Sequence, residues 1–215
     1  FDRIHMRAYP PRWIDDLAGH GDWVRLLIFH ELAHVLHLGH HGGVAKVVNA
    51  VVGRTYLPNQ YLPRLLVEGI AVWAETRHRG FDRGGRGRID SPQYMMKLRA
   101  FVLDNALPEL DELTGRPLKW PRGNGWYLFG SVLVDYQVRR YGQAKLIEFI
   151  AAYGSRPVPY AINQLYRQIY GISAVRMWRD AMMELRRRVR REHRLRDHGI
   201  TPSVRAEEVL ATHVP

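Results

Sequence analysis

The stretch Phe29-His30-Glu31-Leu32-Ala33-His34-Val35 places two histidines four positions apart, with a glutamate between them, inside an apolar run. An α-helix turns once in 3.6 residues, so His30 and His34 project from nearly the same face, one turn apart. Two imidazoles in this arrangement can both reach one Zn²⁺ at about 2.0–2.1 Å. Glu31 lies about 100° further round the helix, where its carboxylate can take a proton from a water that the metal activates. The stretch therefore predicts a helix that carries a metal site and a general base.

The residues around this stretch favour a metal over a chance match. Apolar side chains occupy nearly every side of the helix: Val24, Leu26, Leu27, Ile28, Leu32, Ala33, Val35, Leu36 and Leu38. A helix of this composition is expected to be buried on all sides. Burying two histidines and a glutamate without partners is costly, and a shared metal ion would supply the partner.

Composition limits the class of protein. A chain of 215 residues with 46% hydrophobic content can bury the core of one full domain. The absence of cysteine excludes thiolate zinc sites and disulfides, and no apolar run is long enough to predict a membrane span. The chain opens at Phe1 without a start methionine or a signal peptide, which indicates a processed chain or an excised domain. The net charge of +11 favours acidic partners or anionic surfaces.

Hydrophobic periodicity predicts a predominantly helical chain of the α+β class. Loose alternation from Phe1 to Tyr9 predicts one strand, which Pro10 would end. Asp22 and Gly39 are the predicted ends of the helix that carries the two histidines. Further helices are predicted at about 44–52, 64–77, 91–107, 108–113, 126–141, 143–153, 159–170 and 173–196, and the Gly- and Arg-rich segment 78–90 is predicted to be a surface loop.

A catalytic zinc usually has three protein ligands, and two residues compete for the third place. His40 occupies the last position of the pattern H-E-x-x-H-x-x-G-x-x-H. That pattern requires glycine where this chain has His37, because the backbone must leave the helix there. Since Gly39 comes two residues later, the helix is expected to continue and to carry His40 away from the metal.

Glu68 is the favoured third ligand. It lies on the second apolar helix among Leu65, Leu66, Val67, Ile70 and Trp73, where an acid needs a partner. Glu75 follows two turns later on the same face. It could orient a ligand through a hydrogen bond from behind, or it could be a solvated surface acid.

The order of these motifs resembles that of the gluzincin metallopeptidases. The segment Leu66-Val67-Glu68-Gly69-Ile70-Ala71-Val72-Trp73-Ala74-Glu75 is similar to the aminopeptidase-type pattern W-L-x-E-G-x-A-x-Y-x-E. The remaining matches lie in a Y-x-x-G helix that ends in Y-G-x-x-K/R-L and in a G-x-S-x-x-x-x-x-W helix: Trp126-Tyr127-Leu128-Phe129-Gly130-Ser131, Arg140-Tyr141-Gly142-Gln143-Ala144-Lys145-Leu146, Gly171-Ile172-Ser173 and Met177-Trp178. Together they cover roughly residues 22 to 185. The nearest named group is the peptidase MA-like domain of bacterial exported proteins, which is often followed by a β-propeller.

This resemblance implies a zincin-like fold and zinc-dependent hydrolysis of peptide bonds. His30, His34 and Glu68 would hold one Zn²⁺, and Glu31 would be the general base. Tyr127 matches the tyrosine whose hydroxyl stabilises the oxyanion. The resemblance further implies an exported or periplasmic protein that acts on peptides or proteins and not on nucleic acid. No G-A-M-E-N-type strand precedes the motif, so recognition of a free amino terminus has no support in the sequence.

The sequence also predicts the domain organisation and leaves two other classes of function open. Residues 1–196 are predicted to form the zincin-like domain, its strand-bearing part reduced to the first residues, and 197–215 a tail or linker. One alternative is a peptidase fold retained as a catalytically silent binding module. The other is a basic binder of nucleic acid or of an anionic surface, suggested by Arg186-Arg187-Arg188-Val189-Arg190-Arg191. A solvated helix face is the simpler interpretation of that run, because Trp178, Met182, Leu185 and Val189 form an apolar stripe on the same helix.

Overall fold

The structure is a computed structural model that describes residues 22–77, 87–115, 117–158 and 160–197, together with positions 17 and 20. Regular secondary structure in these residues is helical throughout. Two 3₁₀ turns (Pro58–Tyr61 and Arg88–Asp90) accompany nine α-helices: α1 (Trp23–Gly39), α2 (Gly43–Val52), α3 (Arg64–Arg77), α4 (Pro92–Leu103), α5 (Leu110–Thr114), α6 (Asn124–Tyr141), α7 (Gln143–Gly154), α8 (Ile162–Tyr170) and α9 (Ala174–Asp197).

The predominantly helical class predicted from the sequence is confirmed, whereas its α+β part is not supported. The described residues contain no strand. The strand predicted at Phe1–Tyr9 lies outside them, as do most of the predicted loop, 78–86, and the predicted tail beyond residue 197.

Most predicted helix ends agree with the structure because local capping sets them. The side chain of Asp22 accepts a hydrogen bond from the Arg25 amide at 3.2 Å and begins α1. Two predicted ends differ. The helix expected to reach residue 107 stops at Leu103, where the chain turns through Asn105 at φ 52°. The helix expected from 159 begins only at Ile162, because Ala161 adopts a left-handed conformation with φ 62°.

The centre of the fold is the pair α3 and α6. These helices pack more extensively than any other described pair, and α1 covers another side of α3. Two glycines allow the close approach. A Cβ atom on Gly69 would lie 2.5 Å from the carbonyl oxygen of Gly130, and one on Gly130 would overlap the carbonyl oxygen of Leu65. No side chain fits between the two backbones at this crossing.

A core rich in aromatic rings lies on the other side of α6. Phe149 packs edge-on against Tyr166 at 5.1 Å, and Phe129 packs against Trp178 at 6.4 Å. The predicted apolar stripe of α9 is buried in this core: Trp178, Met182, Leu185 and Val189. The arginines of α9 therefore lie largely on its outer face, where Arg187, Arg188, Arg190 and Arg191 are exposed.

The prediction that α1 is buried on all sides is wrong for the described residues. Its face toward α3 is buried at Leu26, His30 and His37. The opposite face exposes four side chains spaced by one turn, Val24, Ile28, Leu32 and Leu36, each by between 39% and 67%. Neighbours pack on one side of the helix, and an apolar sequence does not report how many faces are covered. Among the described helices, none has the length and hydropathy needed to cross a membrane.

Candidate metal centre

Three side chains from α1 and α3 converge at one point. His30 and His34 project one turn apart from α1, as the helical period requires, and Glu68 faces them from the second turn of α3. The Nε2 atoms of the two histidines lie 3.1 Å apart. The Oε2 atom of Glu68 lies 3.4 Å from Nε2 of His30 and 3.2 Å from Nε2 of His34. His30 and Glu68 are buried, and His34 is partly exposed.

The dimensions of this triangle fit a single metal ion. In a tetrahedral site with metal–ligand bonds of about 2.0–2.1 Å, neighbouring ligand atoms lie about 3.3 Å apart. All three observed separations, from 3.1 to 3.4 Å, are close to that value. The three atoms form one face of a tetrahedron, which leaves the fourth position for a water or a substrate atom.

The charge of Glu68 also fits a cation. Burial alone would raise the pKa of Glu68, but the neighbouring imidazoles of His30 and His34 outweigh it and hold the pKa well below its usual range. The carboxylate is therefore ionised at neutral pH. Its Oε1 accepts a hydrogen bond from Arg64 at 3.1 Å, while Oε2 is buried and makes no hydrogen bond of good geometry. An ionised oxygen buried in that way is costly unless a cation binds it.

A second carboxylate contacts His30 at Nδ1, the ring nitrogen that faces away from Glu68. Glu75, fully buried two turns further along α3, lies 3.1 Å from Nδ1 of His30 through Oε2. Burial would raise the pKa of Glu75, but the charge of Arg88 outweighs it and lowers the pKa, so Glu75 needs hydrogen-bond donors. A proton on Nδ1 of His30 supplies one and leaves the lone pair of Nε2 directed at the site.

Arg88 completes this buried group. Its Nε and Nη2 atoms donate to the two oxygens of Glu75 at 2.6 and 2.7 Å. Nη2 also lies 2.8 Å from Nδ1 of His30. A guanidinium has no acceptor, so Nδ1 either carries the proton that Glu75 accepts or accepts one from Arg88. Only the first arrangement frees Nε2 for a metal, and we therefore assign the proton to Nδ1.

The sequence did not identify Arg88 as part of the site. It falls in the Gly- and Arg-rich segment predicted to be a surface loop, whereas the structure places it in a 3₁₀ turn with its side chain buried. One indirect signal was available. A carboxylate on a buried helix face, such as Glu75, requires a cation nearby. Nothing in the sequence pattern indicates which of the many arginines supplies it.

Tyr127 stands beside the metal centre in the first turns of α6. Its ring stacks on that of His30, with centroids 5.8 Å apart and planes 26° apart. Burial, and then the charge of Glu68, raise the pKa of Tyr127 to about 12. The phenol therefore keeps its proton at neutral pH and can donate a hydrogen bond next to the three converging side chains.

The remaining candidates from the sequence lie around the three converging residues. Glu31 follows His30 on α1 and is partly exposed. His40 caps the end of α1, where it is exposed and does not belong to the group of His30, His34 and Glu68. His37 remains helical and is buried, so the backbone does not leave the helix at that position.

Comparison of the chain with known protein families, with curated proteins and with solved structures gave no significant match.

Proposed function

We propose that the protein hydrolyses peptide bonds with a zinc ion held by His30, His34 and Glu68. The observation that carries the proposal is the triangle of two Nε2 atoms and one buried carboxylate oxygen at 3.1–3.4 Å. Glu31, a potential base, follows His30 on the same helix. The resemblance of the motif order to gluzincins supports the reaction type and a zincin-like fold.

Two neutral imidazoles and one carboxylate, with a position left open, form a donor set that suits Zn²⁺ in hydrolytic sites. When bound, the metal supplies a Lewis acid that acidifies a water and polarises the carbonyl under attack. The chain supplies the remaining groups. Glu31 accepts the proton of the attacking water and passes it to the departing amine. Tyr127 donates a hydrogen bond to the carbonyl oxygen as that oxygen gains negative charge.

Glu31→Gln tests the proposal, because the amide keeps the size of the side chain and cannot accept the proton. We expect the metal content to stay the same and hydrolysis of a peptide library to fall about 10²–10⁴-fold. Glu148→Gln, an exposed position on α7, is the matched control and should retain full activity. If the metal-loaded parent cleaves nothing across broad libraries, the chain is a binding module. If Glu31→Gln cleaves as fast as the parent, the assigned base is wrong.

Tyr127→Phe tests the second role. Removing the hydroxyl takes away one donor to the developing oxyanion, and kcat should fall about 10²–10³-fold with KM and metal content little changed. Tyr141→Phe removes a hydroxyl from the other end of α6 and serves as the control. An unchanged kcat in Tyr127→Phe would contradict a catalytic role and leave Tyr127 as a residue that packs against His30.

A further inference from the structure

Helix α2 is a prominent apolar element on the surface of the described fold. It buries a single residue, Ala45, while five valines are exposed, and we call these the valine edge: Val44, Val47, Val48, Val51 and Val52. Val51 is 81% and Val47 66% exposed. A ten-residue helix is marginal in water on its own, and packing against the body contributes little to this one. A surface of this kind indicates an interaction site.

Both ends of α2 are attached to the turn that follows α7. The Gly42 amide donates to the carbonyl oxygen of Gly154 at 3.1 Å, before α2 begins. After α2 ends, the Tyr56 hydroxyl donates to the carbonyl oxygen of Pro157 at 2.9 Å. These contacts bring the valine edge to the same end of the molecule as two further exposed apolar side chains, Val158 and Tyr160.

The two chain segments that form this end carry basic residues and no acidic ones. The sequence contains no Asp or Glu from Leu32 to Val67, nor from Phe149 to Arg179. Lys46 and Arg54 lie on and directly after α2, and both are exposed. Two copies of such a surface would bring like charges together, whereas an anionic surface complements them. Valines on one face of a helix can enter the apolar layer, and basic side chains on its other face (Lys46) or just beyond its end (Arg54) can meet headgroups, as in helices that lie in a membrane interface.

We propose that the valine edge, with Lys46 and Arg54, docks the protein onto the surface of an anionic lipid bilayer. Val47 and Val51 enter the boundary between headgroups and acyl chains, and the two cations contact lipid phosphates. The arginines of α9 are not part of this surface, because α9 packs on α4, α6 and α8. The inference is independent of hydrolysis, since it uses none of the residues of the metal centre.

Flotation with vesicles tests the proposal. The full chain should float with vesicles of phosphatidylcholine in which a third of the lipid is phosphatidylglycerol, and should do so less as salt increases. Vesicles of pure phosphatidylcholine should bind it much less. Val47→Asp/Val51→Asp should weaken binding at least about tenfold, because two apolar contacts are lost and two negative charges are added. Lys46→Gln and Arg54→Gln should each weaken binding about fivefold.

Matched controls distinguish this surface from the rest of the molecule. Met96→Asp, at a position on α4 that is 61% exposed, introduces one negative charge outside the valine edge. Arg187→Gln/Arg191→Gln removes two charges from α9. Both should bind the vesicles within about twofold of the parent. Failure of the parent to float overturns the proposal, as does equal loss in the controls. Sedimentation would overturn the proposal if the parent were a dimer and the valine variant a monomer. The valine edge would then bind a second copy of the chain and not a bilayer.

Discussion

Two buried carboxylates on one face of α3, Glu68 and Glu75, contact the same imidazole from opposite sides. Glu68 approaches Nε2 of His30, and Glu75 approaches Nδ1. Each also contacts an arginine, but the two arginines differ in their surroundings. The side chain of Arg88 is 8% exposed and binds both oxygens of Glu75, whereas that of Arg64 is 64% exposed and binds one oxygen of Glu68.

This difference separates a supporting carboxylate from a binding one. Glu75 has a hydrogen-bonded partner at both oxygens. Glu68 keeps one buried oxygen without a hydrogen bond, directed at two imidazole nitrogens. Burial and residue type are the same at the two positions, so the hydrogen bonds alone indicate which of them would hold a cation.

The largest expected effect concerns metal binding. Glu68→Ala should abolish the binding of one zinc per chain, measured by competition with a chelator, because a direct ligand is lost. Glu75→Gln should weaken it only about 10–100-fold, as removal of an outer hydrogen-bond partner does. His40→Ala should leave it unchanged. If His40→Ala lost the metal and Glu68→Ala kept it, His40 and not Glu68 would be the third ligand.

The next effect concerns stability. Arg88→Met leaves the ionised carboxylate of Glu75 buried without its charged partner, held only by the hydrogen bond from His30, and should lower the free energy of unfolding by about 3–5 kcal/mol. Arg64→Met removes an exposed partner and should cost less than about 1 kcal/mol. Urea unfolding of the metal-free chain measures both. The double variant Glu75→Gln/Arg88→Met should recover part of the loss; if it does not, the cost arises from packing and not from charge.

The third effect concerns His37, a buried group on α1 whose two ring nitrogens make no hydrogen bond. Burial, then the charges of His34 and His40, lower the pKa of His37 to about 4 from the ordinary 6.5. The unfolded chain therefore takes up this proton first. The contribution of His37 to the free energy of unfolding is intact above pH 6.5 and declines as the pH falls. It is lost by about pH 4, a change of about 3 kcal/mol. His37→Leu should remove this part of the acid sensitivity, and an unchanged pH profile would contradict the assignment.

The smallest effect concerns the pH dependence of zinc affinity. Burial lowers the pKa of His30, but the neighbouring carboxylates of Glu68 and Glu75 outweigh it and raise the pKa. Because a metal binds only the neutral imidazole, protons should begin to compete above the ordinary value of 6.5. Zinc affinity should then fall up to about tenfold per pH unit for each proton displaced. A titration between pH 8 and pH 5 measures this, and a flat affinity down to pH 6 would contradict it.

Local signals in the sequence predicted most of the helices. The bounds of α3 and α1 follow from hydrophobic periodicity and from capping by Asp22. His30 and His34 share a face because of the helical period alone. Pairing them with Glu68 needed one further argument, that an acid on an apolar helix must have a partner.

Features that depend on contacts between distant segments were not predictable in this way. Arg88 and Glu75 are thirteen residues apart along the chain and meet only in the folded structure. The exposed face of α1 has the same apolar composition as its buried face, so composition does not show which one is covered. Metal identity and reaction type remain proposals that the motif order and the geometry support.

Because Gly69 and Gly130 have no side chain, α3 and α6 approach each other closely beside the candidate metal centre. Glu68 precedes Gly69 on α3, and Tyr127 lies one turn before Gly130 on α6. A methyl group at either glycine would wedge the two backbones apart and carry Tyr127 away from Glu68. Substitutions at these two glycines should therefore change the spacing of the candidate site, although neither glycine contributes an atom to it.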